Sequence, residues 1–490
     1  MEQSRGRVGI PTIEAFGPYR MPKKLFQYGL NEHGQDVGCP SGHTCNHRME
    51  PDVDAVWAAD AGADIKKHYD IVLRIYAGYD ETSVWQEFGE MKFASREDIP
   101  AEWGNPDTTK PRWVPTRYVP WTSWRAGAQQ WGLSSVRQGE SSGTITHEIA
   151  HFAFRTGDNN NNPYAAPYRR VGSGPWDIMD RGSFNGPGGP HRRWVVPAAE
   201  GSSMPAGFML RNRIRYKWLA PEQVRTVSRG ELEKSGLIVA TVTARAVDPL
   251  PGEVAGVVVT LDGGDRTPKC DMNADPLCSG EPVWNDYTVE VVQRIGNDSF
   301  TPDNGVLIAK NKNTEGRSCG YNCFSWVIDA HPEDIKMVDF KKPDGTVVMR
   351  TVADYRQLND ALFHAGTNSG SAYEWKDDAN GLHFYVVDVK RSKEGILSYV
   401  VGVRSLDGAG AAATTGITAT ANGRTVTLQN TGVGWDIYRL SATGADLPNA
   451  LVAIAPGGTA RVSLPGSAAA TFTATSERDP SKSATTKVGR

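Results

Sequence analysis

Two of the ten histidines in this 490-residue chain stand four residues apart, with a glutamate directly after the first. They are His147 and His151, with Glu148 between them, in GTITHEIAHFAFRTGDNNNN, residues 143–162. On an α-helix, positions i and i+4 project from one face a turn apart, so the two imidazoles can converge on a single zinc ion. Glu148 then lies within reach of a water on that ion. It can take the water's proton as a carbonyl is attacked and hand it on to a leaving amine. With so few histidines, chance puts this pattern in about one chain in a hundred, which makes the motif informative.

A zinc site of this kind needs a third protein ligand. In helices of metzincin type a glycine three residues after the second histidine breaks the helix, and the ligand follows three residues later. Here Phe154 occupies the glycine position and Gly157 the ligand position. Gly157 suits a left-handed exit from the helix, and Asp158 is the first side chain after it able to swing back. Asp158 is the expected third ligand, against a plain polar loop or a calcium site built with the asparagines that follow. Asp177, Asp180 and His191 are reserves, and Glu200 is a more distant one. In GSGPWDIMDRGSFNGPGGPHRRW (172–194), Met179 is a candidate apolar floor beneath the histidines, or a simple core methionine. His191 could instead bind substrate or stabilise an oxyanion, or be an ordinary loop histidine.

The elements that must carry these residues can be read from periodicity. DVDAVWAADAGADIKK (52–67) predicts a helix, leading into YDIVLRIYAG (69–78), whose apolar run predicts a buried strand. The apolar neighbours Ile149, Ala150, Phe152 and Ala153 predict a buried motif helix. A further helix is expected over 206–219, with Phe208, Leu210, Ile214 and Trp218 on one core-packed face and Pro221 as stop signal. From about Ser228 the runs LIVATVTARAV, EVAGVVVTL, DYTVEVVQRIG, NGVLIAK, GLHFYVVDV and ILSYVVGV predict strands separated by turn residues. GAGAAATTG (408–416) reads as a linker, and the short alternating strands after it fit a small immunoglobulin-like sandwich.

Composition excludes several classes. The 53 basic and 56 acidic residues leave a net charge of −3, so no global field attracts nucleic acid or anionic lipid. No run of about 18 apolar residues predicts a membrane span. The amino terminus MEQSRGRVGIPT lacks the apolar stretch of a secretory signal. The six cysteines argue for secretion nonetheless. They fall into close pairs, Cys39/Cys45, Cys270/Cys278 and Cys319/Cys323, each flanking a turn-rich loop, as local disulfides do. The expected resolution is a secreted protein whose signal and propeptide lie outside these 490 residues.

HEIAH, the trailing GDNNNNPY and then GPWDIMDRGSFNGPGGPH resemble the catalytic core of immune inhibitor A-like secreted bacterial metalloendopeptidases. IVLRIYAGYDET with WQEFGEMKF resembles the strand region before that core. YTVEVVQRIGNDSFTPDNGVLIAKNK and LHFYVVDV resemble the β-region after it, so the likeness spans about residues 50 to 400. The resemblance implies a zinc peptidase with an extracellular role in Gram-positive or actinobacterial cells, made as a precursor and often carrying structural calcium. It implies His147 and His151 as zinc ligands, Glu148 as acid/base and Asp158 as the aspartate ligand. The family more commonly has a glycine in the helix and its aspartate one residue nearer, so this chain departs from the pattern by one residue.

The fold class expected is an α+β zincin-like catalytic domain (1–225), a β-rich sandwich or jelly-roll-like domain (226–408) and the small C-terminal sandwich (409–490). The expected function is endopeptidase action on protein or peptide substrates, with the C-terminal module binding a surface or substrate. The competing readings are a secreted binding or adhesion protein with a structural or degenerate zinc site, and hydrolysis of a non-peptide amide.

Overall fold

The computed structural model describes residues 3–10, 12–28, 42–44, 47–75, 89, 93–114, 121–124, 142–159, 170–185, 205–272, 274–275, 277–315, 323–336, 338–341, 345, 347–349, 355–408, 410 and 415–489. The chain forms two compact units. The first holds residues 1–171, 178–206 and 334–356; the second holds 172–177, 207–333 and 357–490.

In the first unit, α1 (Met49–Ala61) starts with Glu50 and Asp52, whose negative charges suit the positive end of the helix dipole. It stops at Gly62, held at φ 107°. Its buried residue, Trp57, packs against Phe16 at 5.3 Å and Tyr69 at 5.9 Å between ring centroids. The buried strand expected over 69–78 is not formed in its described part, and residues 76–78 lie outside the described residues. Residues 71–75 belong to no strand, and Leu73 and Ile75 are 46% and 89% exposed. What fixes this segment is polar: the Arg74 guanidinium grips both carboxylate oxygens of Asp54 on α1, at 2.7 and 2.9 Å. Two short antiparallel pairs complete the described strands of this unit, β1 (Trp113–Val114) with β2 (Thr122–Ser123) and β9 (Val338–Lys341) with β10 (Val347–Met349). The motif helix, α2, spans Ser142–Phe154.

In the second unit six strands fall on the predicted runs, and three others, Val224–Ser228, Ser325–Val327 and Glu374–Asp377, lie outside them. β3 (Val224–Ser228), β5 (Gly256–Thr260), β6 (Asp286–Val292), β7 (Gly305–Asn311) and β8 (Ser325–Val327) form one sheet in that order, parallel at β3–β5 and antiparallel elsewhere. β11 (Glu374–Asp377), β12 (Leu382–Arg391), β13 (Leu397–Ser405) and β4 (Leu237–Thr243) form a second, fully antiparallel sheet. The sheets share one core in which Val257, Val289 and Ile308 of the first meet Val242, Phe384 and Val401 of the second. Fully burying each such side chain is worth about 1.5–3 kcal/mol.

The helix expected over 206–219 is one short segment, α3 (Leu210–Arg215), and its buried face is not the apolar one. Phe208, Leu210 and Trp218 are buried as expected, but Ile214 is 38% exposed while Arg211, Asn212 and Arg213 are inside. Arg211 is accommodated because its guanidinium stacks over Phe324 at 4.3 Å and donates to the Lys312 carbonyl at 3.0 Å. The chain enters α3 through backbone amides bound by acids of the β-region, Gly207 by Asp298 and Leu210 by Glu290, each at 2.9 Å. Those bonds join α3 to the second unit, whose long central segment begins at residue 207. A second short helix, α4 (Arg229–Ser235), is capped by the Ser228 hydroxyl and Glu231.

The C-terminal strands form two antiparallel sheets. One orders β14 (Ile417–Asn422), β15 (Thr425–Asn430) and β18 (Thr459–Ser463); the other orders β17 (Leu451–Ile454), β16 (Asp436–Thr443), β19 (Ala470–Ser476) and β20 (Ser483–Val488). Val426, Leu428, Tyr438 and Phe472 fill the core they share. This module is seated on β12 and β13. Ile437 packs directly over Gly402, where an added Cβ would lie 2.3 Å from its Cδ1 and would push that side chain aside. Arg439 adds ion pairs to Glu374 and Glu477, both at 2.6 Å. Residues 409 and 411–414 of the expected linker lie outside the described residues.

Cys270 and Cys278 are disulfide-bonded, with Cα atoms 5.8 Å apart. Cys323 is also in a disulfide, and Cys39, Cys45 and Cys319 lie outside the described residues.

Candidate metal centre

One helical turn brings His147 and His151 together on α2, with ring centroids 4.7 Å apart and planes nearly perpendicular. Their Nε2 atoms face each other at 3.1 Å. The expectation of a buried motif helix holds for one face: Ala150 is buried and His147 is 8% exposed, but Phe152 is 65% exposed and Ala153 is also exposed. The inward face of α2 carries the ligands, and its other side meets solvent.

Chain reversal after the helix decides the third partner. Arg155, not Gly157, takes the left-handed conformation, at φ 50°. A non-glycine residue pays about 1 kcal/mol or more for that, so packing around the turn has to hold it. The reversal places the Thr156 carbonyl 2.6 Å from His151 Nδ1 and brings Asp158 back over the imidazoles. Asp158 Oδ1 lies 2.9 Å from His147 Nε2 and 3.4 Å from His151 Nε2.

Each ring is oriented from behind. His147 Nδ1 donates to the Ile178 carbonyl at 2.7 Å, and His151 Nδ1 donates to Thr156. With Nδ1 carrying the proton, both Nε2 atoms present lone pairs to the same point, where the Asp158 oxygen also points. Two lone pairs and a carboxylate oxygen within van der Waals contact repel unless a cation or protons sit between them. The next carbonyl, that of the buried Met179, accepts the amide of Asn159 at 2.8 Å, so one backbone segment braces both His147 and the residue after Asp158.

The electrostatics record the same crowding. For His147, burial pulls the pKa down, but the bonds to Asp158 and the Ile178 carbonyl outweigh it and the net shift is upward. The Asp158 bond is the main cause that pushes His151 up to about 9. Burial acts to raise Asp158, yet the two imidazoles hold its carboxyl well below the usual carboxylate range. Protons thus take the place that a divalent cation would compete for.

Among the described residues, His147, His151 and Asp158 are the one group of three such side chains able to hold a metal ion. Asp177 and Asp180 are buried and outside it; Asp180 caps the 3-10 turn at Arg181–Phe184 by accepting from the Arg181 amide. Among the described residues, no second group of three His, Cys, Asp or Glu side chains converges for the structural calcium that the resemblance implies. His191 and Glu200 lie outside the described residues. Glu148 is exposed, on the turn that carries the ligands. Sequence reading missed the Ile178 and Thr156 carbonyls and the left-handed Arg155, because backbone acceptors carry no residue signature.

A family model described as a middle domain matches residues 215–406. Over 542 aligned residues the chain is 42% identical to a protein of the fungus Arthroderma benhamiae named as a secreted metallopeptidase, covering 99% of this chain and 78% of that protein. The chain belongs to this family of secreted metallopeptidases. Membership agrees with a His, His, Asp group able to hold a metal and with the Cys270–Cys278 bridge, since disulfides persist in oxidising compartments. Among the described residues of this metallopeptidase, no helix is long and apolar enough to cross a membrane.

Proposed function

We propose that this metallopeptidase is a zinc endopeptidase of immune inhibitor A-like type, acting on protein or peptide substrates. The observation that carries the reading is the convergence of His147 Nε2, His151 Nε2 and Asp158 Oδ1, separated by 2.9, 3.1 and 3.4 Å. Tetrahedral zinc with bonds of about 2.0–2.1 Å spaces its ligand atoms roughly 3.3 Å apart, so the donor set fits zinc in size as well as in type. Three protein ligands leave a fourth position for water, as catalytic zinc sites do.

Bound zinc would supply Lewis acidity and a water whose pKa falls to about 7. The chain's residues do the rest. The Ile178 and Thr156 carbonyls lock the imidazole tautomers. Glu148, exposed beside the first ligand, accepts a proton from the attacking water and returns it to the leaving amine. A partly exposed Asp158 and an exposed Glu148 leave the site open to an extended chain from solvent.

The test is casein cleavage by purified protein beside Glu148→Gln, with zinc content measured on both. The expected result is a loss of about 10²–10⁴ in kcat/KM with zinc retained. Full activity in the variant would remove Glu148 from the proton path.

A further inference from the structure

A buried amine with little to bind sits beside a buried carboxamide in the central β-sandwich. Lys310, on β7, is 5% exposed, and its Nζ donates a hydrogen bond to Thr267 Oγ1 at 2.8 Å. Its other polar neighbour is Asp377 at the end of β11, with Nζ 4.0 Å from Oδ2. Asn380, fully buried in the turn between β11 and β12, donates through Nδ2 to the same Thr267 hydroxyl at 3.2 Å and the same Asp377 oxygen at 2.7 Å. Lys310 and Asn380 thus share both polar contacts.

The carboxamide is held as a reactive one would be. Its Oδ1 accepts from the buried Arg229 guanidinium at 3.0 Å and from the Arg266 amide at 2.9 Å, which draws electrons from Cγ. Its Nδ2 also donates to Asp265 Oδ1 at 2.9 Å. Carboxylates therefore flank the nitrogen that would leave, and Asn380, Asp377 and the Tyr287 whose hydroxyl is bonded to Asp377 are all buried.

We propose that Lys310 and Asn380 form an intramolecular isopeptide bond. A Lys310 ammonium carries three hydrogens. One remains on the new amide, and two pass by way of the Asp377 carboxylate to Nδ2. The Nζ–Cγ bond forms, the Cγ–Nδ2 bond breaks, and the nitrogen leaves as ammonium. Charge and electrons balance with no other reactant and no change of oxidation state. The shared Thr267 hydroxyl and Asp377 carboxylate would guide the amine to the polarised carbonyl, and such holding of reactants is what speeds intramolecular reactions. The bond would tie β7 to the β11–β12 hairpin, crossing from one sheet of the sandwich to the other. It involves no residue of the metal centre, so it stands or falls separately from the peptidase reading.

Intact mass of the full chain after disulfide reduction, followed by peptide mapping, is the test. The expected result is a chain lighter by one ammonia than its sequence, with a branched peptide joining the Lys310 and Asn380 segments. Lys310→Arg should return to its own full sequence mass. A full-mass wild-type chain with both segments as linear peptides would overturn the proposal. Asn380 precedes Gly381, so cyclisation onto the backbone would also release ammonia. Ammonia loss with the Lys310 peptide linear, or loss that persists in Lys310→Arg, would overturn it equally.

Discussion

Two clusters of ionisable side chains, one in each unit, look alike in composition and differ in what they lack. In the second unit Arg245 sits between two acids with all three side chains at most 2% exposed. Its Nη2 and Nε bond Asp298 at 2.7 and 2.8 Å, its Nη1 lies 3.7 Å from Glu290, and its Nη2 also reaches the Trp176 carbonyl at 2.9 Å. The acids bind backbone amides in turn. Although burial pulls the Arg245 pKa down, Asp298 more than offsets this and the guanidinium stays charged. That cluster brings its own cation and is closed. In the first unit, His147, His151 and Asp158 aim three electron-rich atoms at one point, and among the described residues they form a group able to hold a metal ion. A cluster with its own cation holds the fold; a cluster of three converging donors is able to receive one.

The largest effect should come from breaking the closed cluster. Arg245→Met leaves the buried Asp298 carboxylate without its bonded guanidinium, so urea denaturation should show a loss of about 3–5 kcal/mol. A loss under about 1 kcal/mol would mean that the acids are protonated in the native state and that the cluster contributes little.

The two clusters also differ in how readable they were. His147 and His151 could be paired because helical spacing is local, and Asp158 could be nominated because it follows within one turn of chain. Its route to the site could not, since it depends on Arg155 rather than Gly157 taking the strained conformation. Arg245, Glu290 and Asp298 come from different strands and turns, and only the finished sheets bring them together. The strands of the second unit were legible from their β-branched runs. The helix at 206–219 was misjudged because periodicity assumes apolar residues face inward, and here Phe324 gives Arg211 a reason to be buried while Ile214 is left out.

A smaller, pH-dependent effect sharpens the contrast. In metal-stripped protein the imidazoles have raised pKa values. Their stabilisation is therefore fully present below the unfolded value near 6.5 and is lost as pH rises, through about 9 for His151. Asp158, with its depressed pKa, contributes above its unfolded value near 4 and loses that contribution as pH falls. Thermal melts in chelator should thus decline from pH 6.5 to 9. With zinc saturating the decline should vanish or reverse, because binding needs neutral imidazoles. Identical profiles with and without zinc would show that the ion does not occupy this cluster.

Zinc content per chain after exhaustive dialysis, measured for wild type, His151→Ala and Asp158→Ala in parallel, tests the central claim most directly. Wild type should hold about one zinc per chain, His151→Ala almost none, and Asp158→Ala should show a large loss. Wild-type protein that retains no zinc, or variants that hold it as well as wild type, would contradict it.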